Sequence, residues 1–153
     1  MGQQRMSVKQ AFPEGYRAVA GLERAVHAGP LEPGLVELIK IRASQINGCA
    51  FCLNMHHRDA RKAGESQQRL DVLSAWREVD GLYSDRERAA LALAEAVTLI
   101  SQDGVPDDVW AGVRDCFDEA ETAALVVAIA TINVWNRLSI STRQQPEPAD
   151  VDR

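Results

Sequence analysis

Hydrophobic residues recur along the chain at spacings of three and four, and no stretch shows the period-two alternation of a half-buried strand. The pattern predicts an all-α fold, a single-domain antiparallel helical bundle. Pro13 suits the first turn of a helix carrying Tyr16, Val19 and Val26, which the breaker pair Gly29-Pro30 stops. After Pro33-Gly34, the residues Leu35, Leu38, Ile39 and Ile46 trace a second helix up to the turn dipeptide Asn47-Gly48. A third runs from about Cys49 to Lys62 and ends at Gly64, a left-handed cap position. Ser66 is expected to cap a fourth, which carries Leu70, Leu73 and Trp76 and fades at Asp80-Gly81.

The stretch Ser84-Asp85-Arg86-Glu87 reads as a capping box, in which serine oxygen and glutamate carboxylate each satisfy a free backbone donor; a long helix follows to about Ile100. Pro106 opens a shorter helix to about Cys116, and Asp118 with Glu121 repeats the box before an apolar C-terminal helix. The chain thus divides into a polar N-terminal arm (1–12), a helical domain (13–143) and a polar tail (144–153) with two prolines that is expected to fray. The apolar run from Ala123 to Trp135, at about 13 residues, falls short of the roughly 20 that span a bilayer. It reads as a core helix. Asn133 and Asn136 are expected to hydrogen-bond within the bundle or across a subunit boundary. Trp76, Trp110 and Trp135 have apolar neighbours and are expected in the core or in subunit contacts.

Composition narrows the partners. With 153 residues, 46% hydrophobic and 25% charged, one domain can bury a sufficient core without disulfide staples. The 17 basic and 22 acidic residues leave a net charge of −5, the wrong sign for a nucleic-acid partner. Met1 to Gln10 contains no apolar segment of a signal peptide or anchor, so the sequence predicts a cytoplasmic protein with no membrane partner. In a reducing compartment, three cysteines point to chemistry.

Cys49, Cys52 and His56 have offsets of three, four and seven, which place them within roughly a 60° arc of one helix face. His57 lies roughly 80° from Cys49 and is the weaker candidate. Gly48 lets the chain turn so that the cysteines occupy the first helical turn, where free backbone donors favour a thiolate. His56, four residues after Cys52, can take a thiol proton or return it to a leaving oxygen. Three other readings stand beside redox chemistry. Small cysteines can simply fill a core. A zinc site could recruit Cys116 or His57 as its fourth ligand, although the spacing matches no usual finger or ribbon. Haem attachment is excluded, because Leu53 stands where histidine is required. Cys116, beside Phe117, is expected to be a buried inert thiol, and His27 and His57 surface or helix-end residues. No cofactor is expected.

The run from Glu37 to Glu65, ELIKIRASQINGCAFCLNMHHRDARKAGE, resembles the core motif of the alkylhydroperoxidase D-like proteins of the carboxymuconolactone decarboxylase-like superfamily. Glu37, Cys49, Cys52 and His56 match its glutamate, its CxxC and its histidine, and Ile132 to Ile140 is similar to the family's C-terminal helix. The resemblance implies an all-α fold, a homo-oligomer (trimer or hexamer), and a peroxidase with a redox-active cysteine pair. It implies that Cys52 attacks the peroxide, that Cys49 closes the disulfide, and that Glu37 and His56 relay protons. A dithiol reductant, lipoyl-bearing or thioredoxin-like, would restore the pair. Phe51 departs from the best-characterised branch, which has a second histidine there. The helix-terminus argument alone favours Cys49 as the more acidic and more exposed thiol, against the Cys52 that the resemblance implies. Phe51 and Met55 fit an organic hydroperoxide. The alternatives are a non-enzymatic redox-sensing or binding module on the same scaffold, a decarboxylase-like relative, against which the CxxC argues, or the zinc protein.

Overall fold

The computed structural model describes residues 2–148, which are helical and contain no strand. Helix α1 spans Val8–Ala11, α2 Pro13–Ala28, α3 Pro33–Asn47, α4 Ala50–Lys62 and α5 Gln67–Asp71. A 3₁₀ segment, Leu73–Glu78, leads to α6 (Asp85–Thr98), α7 (Ile100–Asp103), α8 (Asp107–Cys116) and α9 (Glu119–Thr142). The boundaries follow local chemistry. Pro13 and Pro33 sit in the first turns of α2 and α3, and both capping boxes form, Ser84 with Glu87 and Asp118 with Glu121.

Helix α3 packs against α4, α6 and α9, so it is buried on nearly all sides, and Leu38, Ile39, Ile41 and Ala43 lose all contact with solvent. Its residues therefore serve two cores. Leu35, Val36 and Ile39 join Val26, Leu93, Val113, Leu125 and Ile129, while Leu38 and Ile41 join Leu70, Leu73, Trp76 and Leu91. A third, smaller cluster is formed by Ala43, Cys49, Cys52 and Ile132, with Phe51 and Trp135 against it. The redox candidates are thus core residues as well.

Three sequence expectations change. The segment after Ser66 is not one helix: it breaks at Val72 and continues as a 3₁₀ turn with Ala75 off helical geometry. Leu70, Leu73 and Trp76 are spaced by three, and three residues per turn aligns them all with the core. Ser66 makes no side-chain cap, and its own N–H is taken by Glu65 at 2.7 Å. In the polar N-terminal arm Ser7 caps α1, and Arg5 donates its backbone N–H to Thr142 (2.8 Å) and its guanidinium to Ser141 (3.0 Å). The tail through residue 148 is tied down, because Arg143 adopts a left-handed conformation (φ 58°) and Asn54 and Arg58 of α4 bond Glu147. The rest of the tail, 149–153, lies outside the described residues.

Helix α9 has 24 residues and is long and apolar enough to cross a membrane, so length does not exclude a span as the shorter apolar run suggested. Its packing identifies it as a core helix, with Leu125, Ala128, Ile129, Ile132 and Asn136 fully buried in the bundle. Of the tryptophans, Trp76 is buried in the core and Trp110 is exposed. Trp135 is partly buried beside the small cysteine cluster.

Candidate active site

The site begins where α3 ends. Gly48 takes a left-handed conformation (φ 71°), and the backbone N–H of Cys49 returns to the Ser44 carbonyl at 3.0 Å. Cys49 thereby becomes the N-cap of α4, and its Sγ accepts the Cys52 N–H at 3.4 Å. The two thiols share a hydrogen bond with their sulfurs 2.7 Å apart, and each residue is only 1% exposed. Donation from the Cys52 side chain lowers the Cys49 thiol to about 6, against the opposition of burial, with help from the Cys52 N–H and from Asn136 and Ser139. Cys52 moves the other way: its hydrogen bond with Cys49, burial and the adjacent negative charge all push its thiol up. Of the two sulfurs, Cys49 is thus the one that better holds a negative charge and Cys52 the one that better keeps the proton. Cys49 is the more acidic thiol, as the helix terminus suggested, but it is not the more exposed one.

One turn after Cys52, α4 delivers His56, and its Nδ1 lies 2.9 Å from Glu37 Oε2 on α3. With Nδ1–H donating to the carboxylate, Nε2 is the basic nitrogen, and it makes no hydrogen bond among the described residues. Both side chains are largely buried, at 7% and 13% exposure. Cys52, His56 and Glu37 line one cavity of about 350 Å³, shared with Phe51 and Met55. Cys49 stands behind Cys52 and does not line it. Cys52, His56 and Glu37 thus share one cavity, with Cys49 against Cys52 at its back.

Other wall residues were not singled out as site residues. Lys40, one helical turn after Glu37, lines the cavity although it is only 1% exposed, and its ammonium pairs with Glu23 of α2. The Glu23 carboxylate also accepts from Trp135 Nε1 (3.1 Å) and lies 2.9 Å from His27 Nε2. Burial opposes its ionisation, but Lys40, Trp135 and His27 together hold it below the usual carboxylate range. Tyr16, in edge contact with Trp135 at 5.2 Å, completes this wall. The i,i+3 spacing of Glu37 and Lys40 was the available signal, since it puts both on one face of α3.

Helix α9 closes the back of the site with a polar stripe. Asn47 donates to Asn133 and Asn136, each at 2.9 Å, and Asn136 donates to Ser44 at 3.0 Å. Asn133 also reaches Thr98 at 3.0 Å. These bonds are the intrabundle contacts expected of the two asparagines. One turn on, Ser139 Oγ is 4.0 Å from Cys52 Sγ.

The remaining candidates separate. His57 is partly buried outside the cavity, and burial followed by Arg61 lowers its pKa. His27 is in the last turn of α2, as a helix-end residue should be, and it also edges the cavity. Cys116 is partly rather than fully buried, against the Phe117 core and remote from the pair. Among the described residues, no group of three or more His, Cys, Asp and Glu is arranged to hold a metal ion.

Known proteins resemble this chain in sequence and in fold. The uncharacterized protein YdfG of Bacillus subtilis (strain 168) is 46% identical over 138 residues, which is 90% of this chain and 93% of that one. A protein of unknown function from Agrobacterium tumefaciens, ATU0492, proposed as an antioxidant defence protein of the AhpD type, superposes with a TM-score of 0.92. It is 41% identical, over 96% of this chain and all of that one. The debrominase Bmp8 shares the fold, with a TM-score of 0.81 at 20% identity over 90% of this chain and 73% of its own. The Carboxymuconolactone decarboxylase family pattern matches residues 12–96, a stretch that holds Glu37, both site cysteines and His56. The chain has the AhpD-like fold and belongs to the carboxymuconolactone decarboxylase family.

Proposed function

We propose that the protein is a thiol-dependent peroxidase that reduces organic hydroperoxides with the Cys49/Cys52 pair. The observation that carries this reading is the single cavity in which Cys52 meets the Glu37-backed His56, with Cys49 behind it at bonding range. The Cys52 sulfur attacks the terminal peroxide oxygen and gives up its proton to His56 Nε2 in the same step, so that no second thiolate stands beside Cys49. The O–O bond breaks as S–O forms, leaving a sulfenic acid on Cys52, and the departing alkoxide receives the proton back from His56 as an alcohol. The Cys49 thiolate then attacks the Cys52 sulfur. The S–S bond forms, S–O breaks, and hydroxide leaves to become water with a solvent proton. The two electrons that reduced the peroxide come from the pair, and an external dithiol, of a lipoyl-bearing or thioredoxin-like protein, restores them by closing its own disulfide.

Cys52 is the attacking thiol in this reading because it, and not the more acidic Cys49, faces the cavity. The apolar Phe51, Met55, Tyr16 and Trp135 suit an organic substituent on the peroxide. The chain works as a homo-oligomer, a trimer or hexamer, which would cover exposed apolar residues such as Phe12, Leu22, Ile100 and Trp110.

Intact-mass spectrometry with thiol trapping tests the cycle. One equivalent of cumene hydroperoxide should remove two hydrogens from the wild type, and dihydrolipoamide should return them. Cys49→Ser should accumulate a trappable sulfenic acid and Cys52→Ser should not. A wild type that stays reduced under peroxide contradicts the reading. A second reading, a redox sensor without turnover, draws on the burial of both sulfurs; it requires oxidation without recycling at a useful rate by any dithiol.

A further inference from the structure

Lys40 occupies a position where lysine is rare: it is only 1% exposed. Replacing a buried ion pair by apolar side chains is often neutral or stabilising, so stability alone does not account for Lys40 and its partner Glu23. What the position offers is the cavity, which Lys40 lines together with Cys52 and His56. The two helices of the site fix its level there. Helices α3 and α4 pack against each other from the Gly48 turn, with the Cys49 N–H on the Ser44 carbonyl at 3.0 Å and His56 on Glu37 at 2.9 Å. Lys40 falls between these two contacts on α3, as Cys52 does on α4, so the two residues stand at one level of the site. The ammonium also has a donor to spare. Glu23 Oε1 accepts one of its three N–H bonds, and His27 Nε2, 3.4 Å away, is in range of a second. The third has no acceptor among the described residues, and the cavity is the open space beside it. Trp135 Nε1 donates to Glu23 at 3.1 Å, so the carboxylate that positions the ammonium is itself held.

We propose that Lys40 is a catalytic residue: it donates a hydrogen bond to the leaving oxygen of the peroxide and holds the negative charge there until His56 protonates it. Attack in line with the O–O bond carries that oxygen away from the Cys52 sulfur and into the cavity. The S–O bond forms, the O–O bond breaks, and the electron pair of the broken bond stays on the leaving oxygen. Lys40 gives up no proton. It contributes a charge-assisted hydrogen bond that strengthens as the charge develops, which is the condition for lowering a barrier rather than merely binding substrate. Among the described residues that line the cavity, Lys40 is the only lysine or arginine, whereas Glu23, Glu37 and Asp59 are carboxylates that repel an alkoxide. The charge can therefore be received only at Lys40 and at the imidazoles. The inference rests on peroxide reduction by Cys52 and deepens that reading by naming the group that meets the departing oxygen.

The test compares the full wild-type chain with Lys40→Met and with Glu23→Gln/Lys40→Met, which leaves no buried charge unpaired and keeps an acceptor for Trp135. The kcat/KM of each is measured with tert-butyl hydroperoxide, whose leaving group is a strongly basic alkoxide, and with peracetic acid, whose leaving group is a carboxylate that needs no help. Loss of Lys40 should lower kcat/KM about 100-fold for the hydroperoxide, the size of one lost oxyanion donor, and no more than about threefold for the peracid. A distorted site would lose both substrates alike, and so would a lysine that acted only by easing ionisation of Cys52. The proposal is overturned if the double variant reduces tert-butyl hydroperoxide within about threefold of wild type, or if the two substrates lose rate equally. If Lys40→Met does not fold, the charge-neutral double variant decides alone. A wild type that reduces neither peroxide overturns the proposed function and this inference with it, whereas an active wild type with equal losses in the variants overturns this inference alone.

Discussion

Glu37 Oε2 holds His56 Nδ1 at 2.9 Å across the junction of α3 and α4, so the carboxylate dictates which imidazole nitrogen is basic. Glu37→Gln keeps the size and an acceptor but removes the carboxylate that orients the imidazole through Nδ1. It should lower kcat/KM for cumene hydroperoxide about 100-fold, within the range of a lost general base, while thermal unfolding changes little. Because the two residues act as one relay, Glu37→Gln combined with His56→Gln should lose little more than His56→Gln alone. Independent, multiplying losses in the double variant would separate them.

The two cysteines give stability pH dependences of opposite sign. Folded Cys49 ionises at about 6 and the unfolded thiol at 9.0, so between these values unfolding takes up a proton. The contribution is therefore full above 9.0, falls as the pH drops, and is gone below about 6. Cys52, pushed up, acts oppositely: above 9.0 the unfolded chain releases a proton that the folded chain keeps, and stability falls. Urea midpoints of the reduced protein should rise from pH 5 to pH 8, relative to Cys49→Ser, and decline above pH 9. Parallel curves for the two proteins would contradict the assignment of the thiolate to Cys49.

Much of this was legible from the chain because the signals are local. Prolines at 13 and 33, the boxes at Ser84 and Asp118, and the turn at Gly48 each act within four residues, and helix geometry alone grouped Cys49, Cys52 and His56. Glu37 needed the resemblance, since nothing local ties it to a histidine 19 residues later. What stayed hidden depends on contacts between distant segments. Glu23 and Lys40 are 17 residues apart, Trp135 reaches Glu23 across 112, and Asn136 reaches Ser44 across 92. The break at Val72 was missed for a different reason. Spacing by three is compatible with an α-helix in sequence, and only the position of the core makes the tighter turn preferable.

Lys40 illustrates what such hidden contacts carry. Its ammonium is only 1% exposed, and Glu23 is its carboxylate partner. Glu23→Leu would leave a buried cation without a counter-charge and should destabilise the fold by about 3 kcal/mol, the lower part of the range for breaking a buried pair. For a chain of this length that lowers the melting temperature by roughly 10 °C. Adding Lys40→Met should restore most of the loss, because removing both charges also removes their desolvation. Differential scanning calorimetry of the two single variants and the double decides it: a double variant no more stable than Glu23→Leu would show that the pair is not the source of the cost.

Gly48 is the hinge on which the cysteine turn depends, and the structure separates two reasons for glycine there. A Cβ added at this position meets nothing within 4 Å, so crowding is not the constraint; the left-handed φ of 71° is. The cost of a side chain should then follow backbone preference alone. Gly48→Ala should destabilise by about 1 kcal/mol, Gly48→Asn by less, because asparagine tolerates this region, and Gly48→Val by more, because its branched Cβ does not. Urea denaturation gives the order. Since Ser44 still anchors the Cys49 N–H in each variant, thiolate absorbance should titrate as in wild type for alanine and asparagine. A stability order set by side-chain size, with alanine better than asparagine, would mean that unseen contacts and not the backbone govern the turn.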